Sequence, residues 1–204
     1  YQSFRITRQT VLPLEDCYDL ANKLKLLSPY YTNDRMQGSS FLDLGAAGGF
    51  FSFLAYLHGA KVDAVDIDKD YIKLINKVCS YLDFDKINTH TMNLSDWTQP
   101  KDSVNALSLI HWVYSCTSIM GSMDKMIKFF ANITKKRLFI EWIDPKDEAI
   151  KYFGHLKYNK SFSDNSYTKE YFLESLNYHF DSVKLLGESR KNTREIYVGE
   201  YTSK

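Results

Sequence analysis

Residues Phe41-Leu42-Asp43-Leu44-Gly45-Ala46-Ala47-Gly48-Gly49-Phe50-Phe51-Ser52 constrain the fold more than any other stretch of the chain. Phe41, Leu42 and Leu44 suit a parallel strand covered on both faces, and the glycines and alanines that follow remove the side chains that would keep a ligand off the backbone. Phe50, Phe53, Leu54 and Leu57 then continue at helical spacing, and Gly59 is placed to stop that helix. The segment reads as strand, bare turn, helix.

Two cofactor classes use such a turn. A dinucleotide fingerprint G-x-G-x-x-G beginning at Gly45 needs glycine where Ala47 and Phe50 stand, so it fails where backbone must approach a pyrophosphate. With an acidic residue followed by small residues at alternate positions (Asp43, Gly45, Ala47, Gly49), the chain instead resembles the class I S-adenosylmethionine (SAM) methyltransferases, with alanine in the second glycine position. The next strand, Lys61 to Asp68, ends in acid roughly 20 residues past the turn, the distance at which a carboxylate meets ribose hydroxyls. The resemblance makes Asp66 the residue that accepts both hydroxyls of the SAM ribose, with Ile67 beside it and Ala46 and Phe50 completing the turn. Taken by itself, Asp66 also suits an N-cap for the following helix, and Asp68 competes for either role.

At 204 residues the chain suits one domain with a sizeable core, and a formal net charge of +1 gives no global pull toward nucleic acid or anionic membrane. Three cysteines, Cys17, Cys79 and Cys116, include no C-x-x-C pair, which argues against a disulfide framework or a zinc site; no metal is expected, and a reducing, cytoplasmic setting is. No apolar run reaches the length of a membrane span, and Tyr1 to Arg5 lacks the apolar core of a signal peptide. Without an initiating methionine, the sequence is expected to be part of a longer chain.

Leu14 to Leu27 places Leu20, Ala21, Leu24 and Leu27 on one helical face, and a breaker-rich loop runs from Ser28 to Ser40. Strands at Phe41–Leu44, Val62–Ile67, Ile87–Met92, Val104–Ile110 and Arg137–Ile143 then alternate with helices at Gly49–His58, Asp70–Leu82 and Ser122–Ile133. Pro145 to His155 and Thr168 to Tyr178 read as helices, the second capped by Thr168. Asp181–Gly187 and Glu195–Tyr201 read as strands joined by a charged turn. The expected fold is a doubly wound α/β domain with a mostly parallel seven-stranded sheet and a C-terminal antiparallel hairpin, the ending the resemblance also implies. A single domain over 1–204 is expected, with an N-terminal arm and helix in 1–40, a cofactor-binding half in 41–143 and an acceptor-side half in 144–204.

By the crevice rule for open α/β sheets, ligands lie beyond the carboxyl ends of the strands. At the end of the third strand the resemblance puts adenine against Asn93 and Leu94, although a turn asparagine explains Asn93 equally well. The fourth strand is expected to run into Ile110-His111-Trp112, with Ile110 against the cofactor. His111 is the candidate base, since its unperturbed pKa lies near operating pH, but it suits a packed histidine shaping the pocket as well. On the fifth strand Glu141 must find partners or face a cleft, so it is the second catalytic candidate; Asp144 before Pro145 is most simply a helix cap. Tyr152, Tyr158, Tyr167 and Tyr171, with His155 and Lys157, form a candidate lid. Arg190, Lys191 and Arg194 form a candidate grip on an acceptor phosphate or carboxylate, or a solvated hairpin tip. Tyr1 to Arg5 is a candidate arm over the cofactor.

The resemblance implies methyl transfer from SAM to a small polar acceptor, best a sugar hydroxyl or glycan intermediate. An RNA methyltransferase is the enzymatic alternative. The Lys-Asp-Lys-Glu tetrad of the ribose 2′-O enzymes puts aspartate at the fourth strand end, where this chain has Ile110 and His111, and RNA binding would leave a basic footprint. A scaffold that binds SAM, or nothing, and turns over no substrate is the alternative from a different class.

Overall fold

The computed structural model describes residues 3–116, 122–151 and 166–202. A short hairpin, β1 (Phe4–Ile6) and β2 (Val11–Pro13), comes first, then helices α1 (Tyr18–Leu27) and α2 (Asn33–Met36). Strands and helices then alternate: β3 (Ser40–Leu44), α3 (Phe50–Leu57), β4 (Lys61–Asp66), α4 (Lys69–Leu82), β5 (Ile87–Thr91), β6 (Lys101–Ala106), α5 (Ile110–Cys116), α6 (Met123–Asn132), β7 (Thr134–Ile143), α7 (Lys169–His179), β8 (Ser182–Arg190) and β9 (Arg194–Glu200). β3 to β9 form a seven-stranded sheet in the order β5-β4-β3-β6-β7-β9-β8. β3 lies parallel to β4 and β6, while β7 pairs antiparallel with β9 and β9 with β8. From β3 the chain moves outward through β4 and β5, then returns to β6 on the other side. The carboxyl ends of β3 and β6 therefore border a topological switch point, where an open α/β sheet makes its ligand crevice.

Period-two alternation along the strands gives each face of the sheet its own core. Leu42, Leu44, Val104, Ala106, Leu138 and Ile140 pack with α5, α6 and α7 through Ile110, Val113, Met126, Phe130, Phe172 and Leu176. Phe41, Val62, Ala64, Phe139, Ile196 and Val198 pack with α1, α3 and α4 through Leu27, Phe50, Phe53 and Ile75. Helices thus cover both faces, as expected for the doubly wound class. Among the described residues, no helix is long and apolar enough to cross a membrane.

The N-terminal segment departs from expectation. Ser3 to Pro13 forms a hairpin closed by Thr7 and Thr10, and Phe4 sets its ring 5.4 Å from Phe50 and 6.1 Å from Phe53, so the described arm packs on α3. α1 starts at Tyr18 and not Leu14, because the Leu14 N–H donates to Ser3 O and belongs to the hairpin turn. The fourth strand also ends early. β6 stops at Ala106, Ser108 turns the chain at φ 54°, and Leu109 O accepts from the Trp112 and Val113 N–H groups, so Ile110 and His111 open a helix. Beyond Pro145 only a 3₁₀ turn, Glu148–Ile150, is formed within the described residues; Tyr152 to His155 lie outside them.

The turn after β3 needs left-handed backbone at Gly45 (φ 66°), Ala47 (φ 46°) and Gly49 (φ 87°). A Cβ on Gly49 would stand 2.9 Å from Ile75 Cγ1, and left-handed backbone costs a non-glycine residue about 1–2 kcal/mol. Ala47 already bears that strain. Gly49→Ala should therefore destabilise by about 1–3 kcal/mol, whereas Ala47→Gly should be neutral or stabilising by up to about 1 kcal/mol. Urea unfolding of the two variants checks these opposite signs.

Candidate active site

A cavity of about 1060 Å³ opens at the carboxyl ends of β3, β4, β5 and β6. Its volume is at the upper end of the range for small-molecule sites, roughly 300–1,000 Å³. Gly45, Ala46 and Ala47 present the bare turn to it, and Leu44, Val65, Met92, Leu94 and Leu109 supply apolar walls. Phe51, which the sequence reading did not single out, also faces it.

At this end sit the residues expected to meet a nucleoside. Asp66 closes β4 nearly buried, with Oδ2 accepting from the Ala47 N–H at 2.9 Å and Oδ1 from the Asp68 N–H at 2.9 Å. Its carboxylate therefore bridges the end of β4 and the glycine turn at the cavity wall. Asp68 takes the cap of α4, accepting from the Asp70 N–H at 2.8 Å. Both acids line the cavity, but only Asp68 caps the helix, while Asp66 bonds to the glycine turn. Ile67, although apolar, is 73% exposed on the cavity side. Asn93 and Leu94 line the same space; Asn93 Oδ1 accepts from the Ser95 N–H at 3.2 Å and Ser95 Oγ at 3.0 Å.

Asp43 lies deeper, receiving Ser52 Oγ at 2.7 Å and Asn105 Nδ2 at 2.8 Å. Burial raises its pKa to about 6 despite these hydrogen bonds. Three expected cofactor positions do not line the cavity. Gly49 and Phe50 build the turn and the α3 core, and Ile110 is fully buried among α5, α6 and the sheet because the fourth strand ends before it.

The other end of the cavity is built on charge. Glu141, on β7, is fully buried and does not line it. Its Oε2 accepts from Lys23 Nζ at 2.8 Å and from the Ser108 N–H at 2.7 Å and Oγ at 3.1 Å, while Oε1 accepts from Ser189 Oγ. Burial pushes the Glu141 pKa up, but Lys23, Ser189 and Arg194 outweigh it and hold the carboxyl below its usual range. So saturated a carboxylate is a poor proton acceptor.

Asp147 behaves similarly, taking a bidentate fork from Arg194 at 2.8 and 2.9 Å that holds its pKa well down against burial. Lys23, Ser108, Arg190 and Arg194 face the cavity, as does His111. His111, in the first turn of α5, is nearly buried, and burial with the nearby Arg194 charge lowers its pKa to about 4. It is a neutral imidazole at physiological pH. Trp112 stands exposed on the cavity rim, its ring 5.7 Å from that of His111.

Of the candidate lid, Tyr167 is core, donating to Ile143 O at 2.9 Å and stacking on Trp142. Tyr171 is exposed on α7, outside the cavity lining, and Tyr152, His155, Lys157 and Tyr158 lie outside the described residues. Asp144 accepts from the Lys146 N–H at 2.9 Å; Asp147 is the cap of the 3₁₀ turn. Sequence reasoning passed over Lys23 and Asp147. Lys23 did carry a signal, since it falls between Leu20 and Leu27 on the buried stripe of α1, whereas Ala21 is exposed.

No family model matches the sequence, and a search of curated proteins finds none that matches it. Solved structures do resemble it. The bifunctional kinase-methyltransferase WbdD aligns with a TM-score of 0.65 at 17% identity over 87% of this chain. This chain spans only 39% of WbdD. Magnesium protoporphyrin IX methyltransferase (ChlM) from Synechocystis PCC 6803, solved with bound S-adenosylhomocysteine (SAH), aligns with a TM-score of 0.63 at 14% identity, covering 91% of this chain and 83% of that one. The PH0226 protein from Pyrococcus horikoshii OT3 aligns with a TM-score of 0.57 at 15% identity, covering 90% and 91%. These likenesses show the fold, which is the class I, Rossmann-like methyltransferase fold.

Removing Lys23 leaves Glu141 buried without its principal cation, so Lys23→Ala should cost about 3–5 kcal/mol in chemical unfolding, and Lys23→Met with Glu141→Leu should recover most of the loss. The His111 C2 proton should titrate in NMR with a midpoint near 4. Because the unfolded chain then binds the proton first, the stability due to His111 is intact above about pH 6.5 and is lost as pH falls toward 4. A midpoint near 6.5 would show a solvated ring.

Proposed function

We propose that the chain is a SAM-dependent methyltransferase acting on a small polar acceptor, best a sugar hydroxyl or glycan intermediate. The observation that carries the reading is the bare backbone of Gly45 to Ala47 facing the same cavity as the Asp66 carboxylate. Those residues fit an adenosyl nucleoside: Asp66 to accept ribose hydroxyls, Ile67 and Leu94 to flank the base, Asn93 to meet its edge, and Asp43 near the amino-acid end. Gly49 and Phe50 act indirectly, by holding the turn. SAM supplies an electrophilic sulfonium methyl group, so the protein's task is chiefly to orient the acceptor.

His111 is then the proton acceptor. As the acceptor oxygen becomes alkylated, its remaining proton turns strongly acidic, and a neutral imidazole with a lowered pKa suffices to take it. The nearby Glu141 and Asp147 charges favour the resulting imidazolium. Glu141 serves as a positioning residue, since its oxygens hold Lys23, Ser108 and Ser189. Trp112 offers a flat apolar wall for an acceptor ring. In this reading 41–143 remains the cofactor half of a single domain, and the acceptor wall draws on both α1 and the residues after 143.

Calorimetry with SAH tests the cofactor assignment. Binding is expected for the parent chain and a loss of tenfold or more for Asp66→Ala; absence of heat and of thermal shift at millimolar SAH would leave only the non-binding scaffold reading. A tritiated-methyl screen of sugars, small amines and RNA then tests the acceptor class. His111→Ala should lower kcat by about 10²–10⁴ while leaving SAH affinity within twofold.

A further inference from the structure

The acceptor end of the cavity is lined by Lys23, Arg190 and Arg194, and the carboxylate that faces the cavity among them is Asp19 of α1. Glu141 and Asp147, which pair Lys23 and Arg194, lie behind those cations with fully buried side chains. Arg190 is held differently. Its main partner is Asp19, through Nη2 and through Nε at 3.3 Å, with Asp147 more distant at 3.6 Å. Its side chain is 37% exposed and that of Asp19 43%, whereas the Arg194 and Asp147 side chains are 10% and 0% exposed. An ion pair this open contributes little, so a competing anion can displace the carboxylate at small cost. A planar guanidinium fork suits a carboxylate or phosphate in two-point contact.

We infer that the acceptor carries an oxyanion, phosphate or carboxylate, which docks on Arg190 in place of Asp19, and that Asp19 occupies that position as a stand-in until the acceptor arrives. The inference rests on the methyl-transfer reading for calling the ligand an acceptor; the oxyanion site itself stands on the geometry of Arg190 and Asp19. Two of its consequences have opposite signs. Asp19→Asn removes the competitor and strengthens oxyanion binding. Arg190→Gln removes the docking fork and weakens it.

Titration of the SAH-saturated protein with inorganic phosphate, read by calorimetry at low chloride, tests this. The parent chain should bind, Asp19→Asn should bind about two- to fivefold more tightly, and Arg190→Gln at least tenfold more weakly, with SAH affinity unchanged within twofold in both. Equal or weaker phosphate binding by Asp19→Asn, or retained binding by Arg190→Gln, would overturn the inference. If Arg190→Gln loses SAH as well, its fold has been disturbed and the Asp19→Asn arm decides. If the parent chain itself ignores SAH, the methyl-transfer reading fails, and the phosphate titrations, repeated without SAH, still decide whether the oxyanion site exists.

Discussion

A single buried carboxylate, that of Glu141, joins the elements that enclose the acceptor end of the cavity. An ionised group with no solvent must be matched by hydrogen bonds and opposite charge or it destabilises the fold by several kcal/mol. Here the partners come from α1 (Lys23), the turn after β6 (Ser108) and β8 (Ser189), segments far apart in sequence. Satisfying one side chain therefore pins α1 against the sheet, fixes the turn that launches α5, and turns Lys23 and Ser108 toward the cavity. The Asp147–Arg194 fork ties the turn after β7 to β9 in the same manner. The two ends of the cavity differ in what shapes them. The end proposed to hold a nucleoside is defined by missing side chains at Gly45 to Ala47, and the end proposed to hold an acceptor by the demands of buried charge.

That difference decides what the sequence disclosed. The β3 turn, the acid at the end of β4, the alternation of strands and helices and the closing hairpin are local signals, carried by spacing within about twenty residues. The end of β6 was not legible, because Ala106 to Ile110 is nearly continuous apolar chain, which suits a strand or a buried helix start alike; only the left-handed Ser108 separates them. The role of Glu141 was half legible. A glutamate inside an apolar strand announces that it needs partners, but Lys23 lies 118 residues away, and nothing local says whether the carboxylate will be neutralised or will face a cleft. Tyr167 of the tyrosine-rich stretch was ambiguous for a related reason, since it buries its ring and donates its hydroxyl to Ile143 O, 24 residues away.

Features that run against local preference gather at the cavity. Among the described non-glycine residues with positive φ, Asp83 caps a helix and Asn192 sits in a hairpin turn, ordinary places for such backbone. The other two, Ala47 and Ser108, both line the cavity. Ile67 is left exposed beside it, and Asp43 is buried there with its pKa raised to about 6. Departures of this kind persist where something other than stability selects them, and their convergence on one cavity supports the proposed site without any appeal to structural likeness.

On the proposed reading, charge balance links His111 to the anion docking inferred at Arg190. Lys23, Arg190 and Arg194 are matched one for one by Glu141, Asp19 and Asp147, so the acceptor wall is close to neutral although its cavity-facing members are mostly cations. An incoming singly charged oxyanion takes the place of the Asp19 carboxylate on Arg190 as that side chain turns out to solvent, so the charge in contact with Arg190 is unchanged. The His111 imidazole keeps the neutral state that burial and Arg194 impose on it. A wall with a permanent cationic surplus would bind anions more tightly, but it would also oppose the imidazolium that forms when His111 takes a proton. On that reading, pairing each cation internally, with one pair left open to exchange, reconciles the proposed anion docking with the proposed proton acceptance by His111 in the same cavity.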